Sequence, residues 1–493
     1  MLDRVDDAVV GLLHLLDLPV LIYFLCINTS YLVLIVLAAM EFARHIRRMP
    51  FAGLEEAYAS PLTRPVSVLV PAYNEEAGIV EAVRAMLGLR YPEFEVVVVD
   101  DGSRDRTYDR LAAAFGLVPL PRVIPQDVGS RGAVLDISVP SDGITPLVVV
   151  RKHNGGRADA LNVGINVAQY PLVCMVDADS ILDPDALLTV SKPFADDPLR
   201  VVATGGVIRA VNGSRVRGGR VVDVRMPKQW IARIQVVEYL RAFLLGRTGW
   251  SKIGALALIS GAFGLFRRDV VVAVGGFDPD SMGEDFELVV NIHRQLREQR
   301  TDYRIVMVAE PVSWTEVPSS MGVLARQRRR WHRGLAQVLW RHRVMLLNPR
   351  YGRIGMLALP YYVVFELLAP VLELAGVLLV PLGLLLGAVD VSFALLFLAV
   401  AYGYAMLVSV AALAVEEFSF HRYSRWRDLG VALAAAVLEN VGYRQLTCVW
   451  RIQGLWSHLA RRQAVWGEMT RVGFGTVDDD VSARPASVPA VRT

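Results

Sequence analysis

From Pro19 to Met40 the chain carries no charged side chain, and that run is long enough to cross a bilayer as a helix. Any fold must give it an apolar surrounding. Asp3, Asp6 and Asp7 precede the run, whereas a secretory signal has a basic leader. Arg44, His45, Arg47 and Arg48 follow it, so the positive-inside rule puts the amino terminus outside and the next domain in the cytoplasm. Residues 1–50 therefore read as a transmembrane anchor spanning about 19–40.

Charged residues concentrate between positions 41 and 353, with apolar runs on either side. At 54% hydrophobic and 20% charged, with a mean hydropathy of +0.39, the chain is too apolar for an ordinary soluble enzyme and too charged for a wholly embedded transporter. A soluble domain slung between membrane spans is the simplest arrangement. The net charge of +3 is too small to argue for nucleic acid. Cys26 and Cys448 lie in apolar stretches and Cys174 in a strand pattern, which suits reduced structural thiols.

A C-terminal membrane region is expected over 354–452. Residues 354–389 are apolar but broken by Pro360, Pro370 and Pro381, as one kinked helix or two short ones. Residues 391–415 form a clean apolar run, and 428–450 a weaker one containing Glu439 and Arg444, read as an ion pair. Glu366 and Glu373 share one helical face, suiting either a polymer channel or structural hydrogen bonds. His421–Arg427 reads as a cytoplasmic loop, and 475–493 as a disordered tail.

The middle of the chain reads as α/β. Val66–Val70, Glu95–Val99, Pro146–Val150 and Val173–Val176 are short apolar strands. Helices over 77–89, 158–167 and from Asp183-Pro-Asp185 onward alternate with them, the pattern of parallel crossover units. Residues 116–141 fit an inserted loop or hairpin. The Arg-punctuated segment 209–233 fits a solvated hairpin or a contact with anionic lipid heads. Residues 229–259, with Trp230 and Trp250, read as amphipathic helix at a membrane interface.

Acidic turns close these strands. Asp100-Asp101-Gly-Ser follows one strand, Asp177-Ala-Asp179 another, and Ser281-Met-Gly-Glu-Asp285 is a third acidic turn. Ligands of open α/β sheets bind at the carboxyl ends of strands, and Asp177 and Asp179 there suit a divalent cation that neutralises a diphosphate. Asp-rich turns are also common for conformational reasons alone. Gln327-Arg-Arg-Arg-Trp331 sits on a basic helix where Gln327, Arg330 and Trp331 share a face. The neighbouring Arg326, Arg328, Arg329 and Arg333 read as snorkelling to lipid phosphates.

These motifs, in this order over residues 64–345, resemble the membrane-bound processive family-2 glycosyltransferases: the poly-N-acetylglucosamine, cellulose, chitin and hyaluronan synthases. The resemblance implies an inverting enzyme with a nucleotide-diphospho-sugar transferase (Rossmann-like) cytoplasmic domain and transmembrane helices. It would polymerise a UDP-sugar, best UDP-N-acetylglucosamine, into a β-linked polysaccharide at the plasma membrane with Mg²⁺ or Mn²⁺. Tyr73, Glu75 and Asp101 match positions that hold uridine, Asp101 accepting the imide N–H. Arg157 stands where the family commonly carries Lys and would contact the diphosphate. Asp177 and Asp179 match the metal-binding pair, Asp179 as the direct ligand and Asp177 also beside the nucleotide. Asp285 matches the general base, although Gly283 replaces the Thr of the usual Thr-Glu-Asp turn. Helix capping is the alternative for Glu284 and Asp285. Gln327, Arg330 and Trp331 match the acceptor- and diphosphate-binding motif. Partners would be the growing polysaccharide or a lipid-linked acceptor, membrane lipids and accessory export subunits. A non-processive transferase to a lipid carrier and a catalytically silent scaffold are the alternatives.

Overall fold

The computed structural model describes residues 2–48, 53–420 and 425–460. The tail at 475–493 and part of the His421–Arg427 loop lie outside them. Twelve strands follow in order. They are β1 (Val66–Ala72), β2 (Phe94–Asp100), β3 (Leu117–Pro119), β4 (Val134–Pro140), β5 (Leu147–Lys152), β6 (Leu172–Val176), β7 (Ile181–Leu182), β8 (Val201–Ala210), β9 (Arg215–Arg217), β10 (Arg220–Asp223), β11 (Phe263–Arg267) and β12 (Arg304–Thr315).

Ten of them form one sheet in the order β3-β4-β5-β2-β1-β6-β11-β8-β12-β7. β5, β2, β1 and β6 are mutually parallel, so Asp100, Lys152 and Asp177 come out at the same edge. The valine runs are buried on both faces: Val66, Val68, Val96 and Val98 point into one core and Leu69, Val97, Val99 and Val150 into the other. Period-2 alternation explains the division, and each fully buried valine stabilises the fold by about 1.5–3 kcal/mol. The strands expected at Val66, Glu95, Pro146 and Val173 all form, within two residues at their ends.

The 116–141 insert is not a free loop. β3 pairs antiparallel with β4, which pairs antiparallel with β5, so the insert extends the main sheet. Residues 209–233 contain the two-stranded β9–β10 hairpin. Its turn, Gly218-Gly219, has φ of 57° and 70°, the two positive φ values that such a tight hairpin turn requires.

Among the described residues, Leu18–Arg44 and Val391–Ser419 are long and apolar enough to cross a membrane. Ile354–Leu367 and Ala369–Leu385 make a third candidate as a pair bent by 41°. Pro370, in the first turn of the second helix, has no N–H to bond the Glu366 carbonyl four residues earlier, and Arg451 Nη2 takes that carbonyl at 2.6 Å. The run read as a weaker span at 428–450 is not one continuous helix. Its helix stops at Leu438, Val441 and Gly442 leave helical geometry, and Arg444–Leu459 begins a separate helix. That helix packs on Met321–Arg341 so closely that a Cβ on Gly454 would sit 2.4 Å from the Arg329 carbonyl.

Glu439 does not pair with Arg444 either. Arg241 reaches Glu439 at 2.5 and 3.1 Å, while Arg444 forks onto Glu373 at 2.7 and 2.8 Å. Arg451 takes Glu366, through Oε2 at 3.2 Å and the carbonyl at 2.6 Å. Both carboxylates of the apolar stretch are thus bound to arginines, which fits the structural reading.

Trp230 is 47% exposed, as an interfacial residue would be, but Trp250 is buried. The helix from Trp230 widens into a π-helical stretch, Leu240–Gly246, before resuming at Arg247–Lys252. That extra winding rotates the face that follows, and Trp250 packs edge-on against Tyr361 at 5.0 Å. The segment that leads into β11 is thereby seated on the bent helix pair.

Candidate active site

The Tyr73-Asn74-Glu75-Glu76 turn that follows β1 is stapled to the stretch from Ser103 to Thr107 behind the Asp100-Asp101-Gly-Ser turn. Asn74, at φ 56°, donates its amide to Ser103 Oγ at 3.0 Å and accepts from Arg104 N at 2.8 Å. The amides of Glu75 and Glu76 reach Thr107 Oγ1 (2.9 Å) and Asp105 Oδ2 (3.0 Å). Asparagine tolerates the left-handed conformation better than other side chains, and the turn leaves Tyr73 partly exposed at the rim.

Asp101 is placed differently from the expectation. Its Oδ1 accepts from Lys152 Nζ and from Gly155 N (2.9 Å), and its Oδ2 from Gly156 N (2.8 Å). Lys152 is completely buried and also touches Asp159 Oδ2 at 2.8 Å and the His153 carbonyl at 2.7 Å. Burial pushes Asp159 up, but Lys152 and the amides of Arg131 and Gly132 outweigh it and hold the carboxyl below its ordinary value. Both Asp101 oxygens are thus engaged by Lys152 and the glycine amides, and the carboxylate shapes the glycine turn. Of the two acids of this turn it is Asp100 that lines the adjoining cavity of about 260 Å³, together with Asp105, Asp109, Tyr108 and Arg151. Its Oδ1 accepts from Ser103 N at 3.0 Å.

Arg157 opens the helix Arg157–Val167 directly after Gly156, whose φ is 89°. Its Nε and Nη2 both donate to Asp177 Oδ1, at 3.0 and 2.7 Å. Its Nη1 donates to Glu284 Oε1 at 2.6 Å, and Nη2 also to the Gly261 carbonyl at 2.8 Å. A Cβ on Gly261 would lie 2.7 Å from Nη2, so a larger residue there would push the guanidinium out of this position. One guanidinium therefore joins the Asp177-Ala-Asp179 turn to the Glu284-Asp285 turn. Burial pushes the Glu284 carboxyl up, Arg157 opposes this, and the charge of Asp285 adds to the rise.

Asp285 is partly exposed in the first turn of the helix Glu284–Glu298. Its Oδ2 accepts from Gly261 N at 3.1 Å and its Oδ1 from Phe286 N at 2.8 Å. Of the capping alternative, only this Asp285–Phe286 contact is realised, since Glu284 is taken by Arg157. The turn rests on the Met321–Arg341 helix, where a Cβ on Gly334 would lie 2.9 Å from Gly283 N. On that helix Gln327 is buried and Trp331 is 38% exposed, while the Arg330 charge adds a smaller opposition to the rise of the Glu284 carboxyl. Arg328 does not snorkel. It is buried, donates to Glu238 at 2.7 Å and lies 4.8 Å over the Trp331 ring, because the helix is covered there by the Trp230–Tyr239 helix.

Among the described residues no three His, Cys, Asp or Glu side chains converge on a metal-sized site. The chain offers two hard carboxylates, Asp177 and Asp179, at one strand end. Mg²⁺ and Mn²⁺ are commonly held by one or two carboxylates with substrate phosphates completing the shell, so the residues fit a cation that arrives with a diphosphate. The sequence reading missed Lys152, Glu284 as the partner of Arg157, and Arg328. A lysine closing a valine strand was the one local signal for Lys152.

A mixed α/β sheet with acidic turns at parallel strand ends, joined to apolar helices, defines a nucleotide-sugar transferase fold attached to a membrane. The family model "Glycosyltransferase like family 2" matches residues 63–334, and the chain belongs to that family. It is 31% identical over 278 residues to a poly-β-1,6-N-acetyl-D-glucosamine synthase of Staphylococcus aureus, covering 56% of each chain. A synthase of the same name from Staphylococcus epidermidis is 29% identical over 276 residues, again 56% of each. The match thus spans little more than half the length of these relatives. A mannosyltransferase from Pyrobaculum calidifontis, solved with GDP-Man and Mn²⁺, aligns over 89% of this chain and all of its own at 18% identity and a TM-score of 0.49.

Proposed function

We propose that this chain is an inverting, processive glycosyltransferase that polymerises UDP-N-acetylglucosamine into a β-linked polysaccharide. The observation that carries the reading is the Arg157 bridge, which brings the cation-binding carboxylate and the acidic turn with Asp285 to one guanidinium. Residues 64–345 are the cytoplasmic catalytic unit, with 1–50 and 354–452 as membrane segments of a multi-pass protein.

The diphosphate lies at the ends of β1, β2 and β6, with Tyr73, Glu75 and Asp100 toward the nucleoside and Arg157 toward the phosphates. Asp177 and Asp179 would hold Mg²⁺ or Mn²⁺, which would supply charge neutralisation to the departing diphosphate. Asp285 takes the proton of the acceptor hydroxyl as that oxygen bonds to the anomeric carbon. The bond from that carbon to the diphosphate oxygen breaks on the opposite face, which inverts the centre. Trp331 presents an aromatic surface for the acceptor sugar, and Arg330 adds positive charge beside the leaving group.

Purified full-length protein given radiolabelled UDP-N-acetylglucosamine should yield product of high molecular weight. Short, lipid-extractable product would replace polymerisation with single addition to a lipid carrier. No incorporation from any UDP-sugar, with lipid and metal supplied, would favour a scaffold. Gly334→Ala should lower kcat by about 10²-fold, because its methyl pushes directly on the backbone that carries Asp285 and displacements near 1 Å have that effect. UDP affinity, measured by calorimetry, should stay within twofold of wild type.

A further inference from the structure

The guanidinium of Arg157 uses four hydrogen bonds, two to Asp177 and one each to Glu284 and the Gly261 carbonyl. Its side chain is 17% exposed and that of Glu284 7%. A guanidinium has five N–H donors in a rigid fork, so nearly all its capacity is spent inside the protein. The Asp177 oxygen it forks belongs to the carboxylate pair that suits a divalent cation. A lysine at this position would bring one point charge and could not fork Asp177 while reaching Glu284 and Gly261 together.

A divalent ion arriving alone meets an Asp177 already neutralised and a fixed positive charge beside it. To take Asp177 Oδ1 it must displace two charge-assisted bonds of 3.0 and 2.7 Å, with no new anion offered to Arg157 in exchange. A diphosphate changes the balance: it offers planar, bidentate oxygens that match a guanidinium, and its charge offsets that of the incoming cation. Arg157 has an alternative partner only when the nucleotide is present.

We propose that Arg157 is a resident cation that occupies Asp177 in the nucleotide-free protein, so that a divalent metal is admitted only together with a nucleoside diphosphate. Glu284 acts as the positioning residue that keeps Arg157 at this station in both states, holding one arm of the guanidinium while the other exchanges Asp177 for phosphate. The inference rests on reading the site as one for a metal–diphosphate pair. It does not depend on whether the product is a polymer.

The test is Mn²⁺ binding, followed by paramagnetic resonance of free Mn²⁺ on the detergent-purified full chain, with and without saturating UDP. In wild type the Mn²⁺ dissociation constant should tighten at least about tenfold with UDP, within the usual range of coupling between sites. Arg157→Gln should bind Mn²⁺ without UDP about tenfold more tightly than wild type, and Arg157→Lys should fall between them. If Arg157→Gln does not fold, Arg157→Lys alone decides. Variants that bind free Mn²⁺ no more tightly than wild type would overturn the proposal, as would Mn²⁺ that fails to bind even with UDP. Because the readout is metal occupancy, a protein that adds single sugars would pass this test while failing the product assay.

Discussion

Asp285→Asn should reduce transfer by about 10³-fold in kcat while leaving UDP affinity within a few-fold of wild type. The amide is isosteric, and it keeps an oxygen able to accept from Gly261 N or Phe286 N, so the turn and the helix behind it should stay in place. What it loses is the ability to take a proton from the acceptor hydroxyl. General bases typically supply 10²–10⁴-fold, and nothing else in the exposed part of this turn is a free substitute, since Glu284 is buried against Arg157. Single-turnover transfer beside calorimetric UDP binding separates the two quantities. Parallel loss of binding and turnover would instead assign Asp285 to holding the turn.

Lys152→Met should destabilise the catalytic domain by about 3–5 kcal/mol, the usual effect of removing one partner from a buried ion pair. Lys152 is completely buried and is the cation between Asp101 and Asp159. Without it, two carboxylates remain in a low-dielectric interior with only backbone amides to stabilise them. The damage should be local first. The amides of Gly155 and Gly156 bond Asp101, and those of Arg131 and Gly132 bond Asp159, so these four should lose hydrogen-exchange protection before the rest of the sheet. Adding Asp159→Asn removes one uncompensated charge and should recover part of the loss. Strictly additive effects in that double variant would show that Lys152 and Asp159 do not interact.

Asp101 and Lys152 also show where reading the chain met its limit. The Asp-Asp-Gly-Ser motif predicted a turn at a strand end, and the turn sits where expected, after β2. Which of its two acids faces the cavity depends on the direction of the last strand residue and on a lysine fifty-one positions away. The four strands from Val66 to Val176 and the helix carrying Asp285 were legible because alternation and helical period are local. The basic helix was legible as a helix, but the fate of Arg328 was set by Glu238, ninety positions earlier.

The sequence by itself determined the alternation of strands and helices, the acids at strand ends, the apolar run from Pro19 to Met40 and the order of motifs that marks the family. Each is a property of neighbouring residues, and backbone periodicity with side-chain polarity is enough to specify it. Only the tertiary structure decided the partners: Glu373 rather than Glu439 for Arg444, Lys152 for Asp101, and Asp177 with Glu284 for Arg157. It also split the apolar stretch 428–450 at Val441 and Gly442. A buried charge must find an opposite charge or hydrogen-bond partners within a few ångströms, and which ones are within reach depends on how distant elements pack.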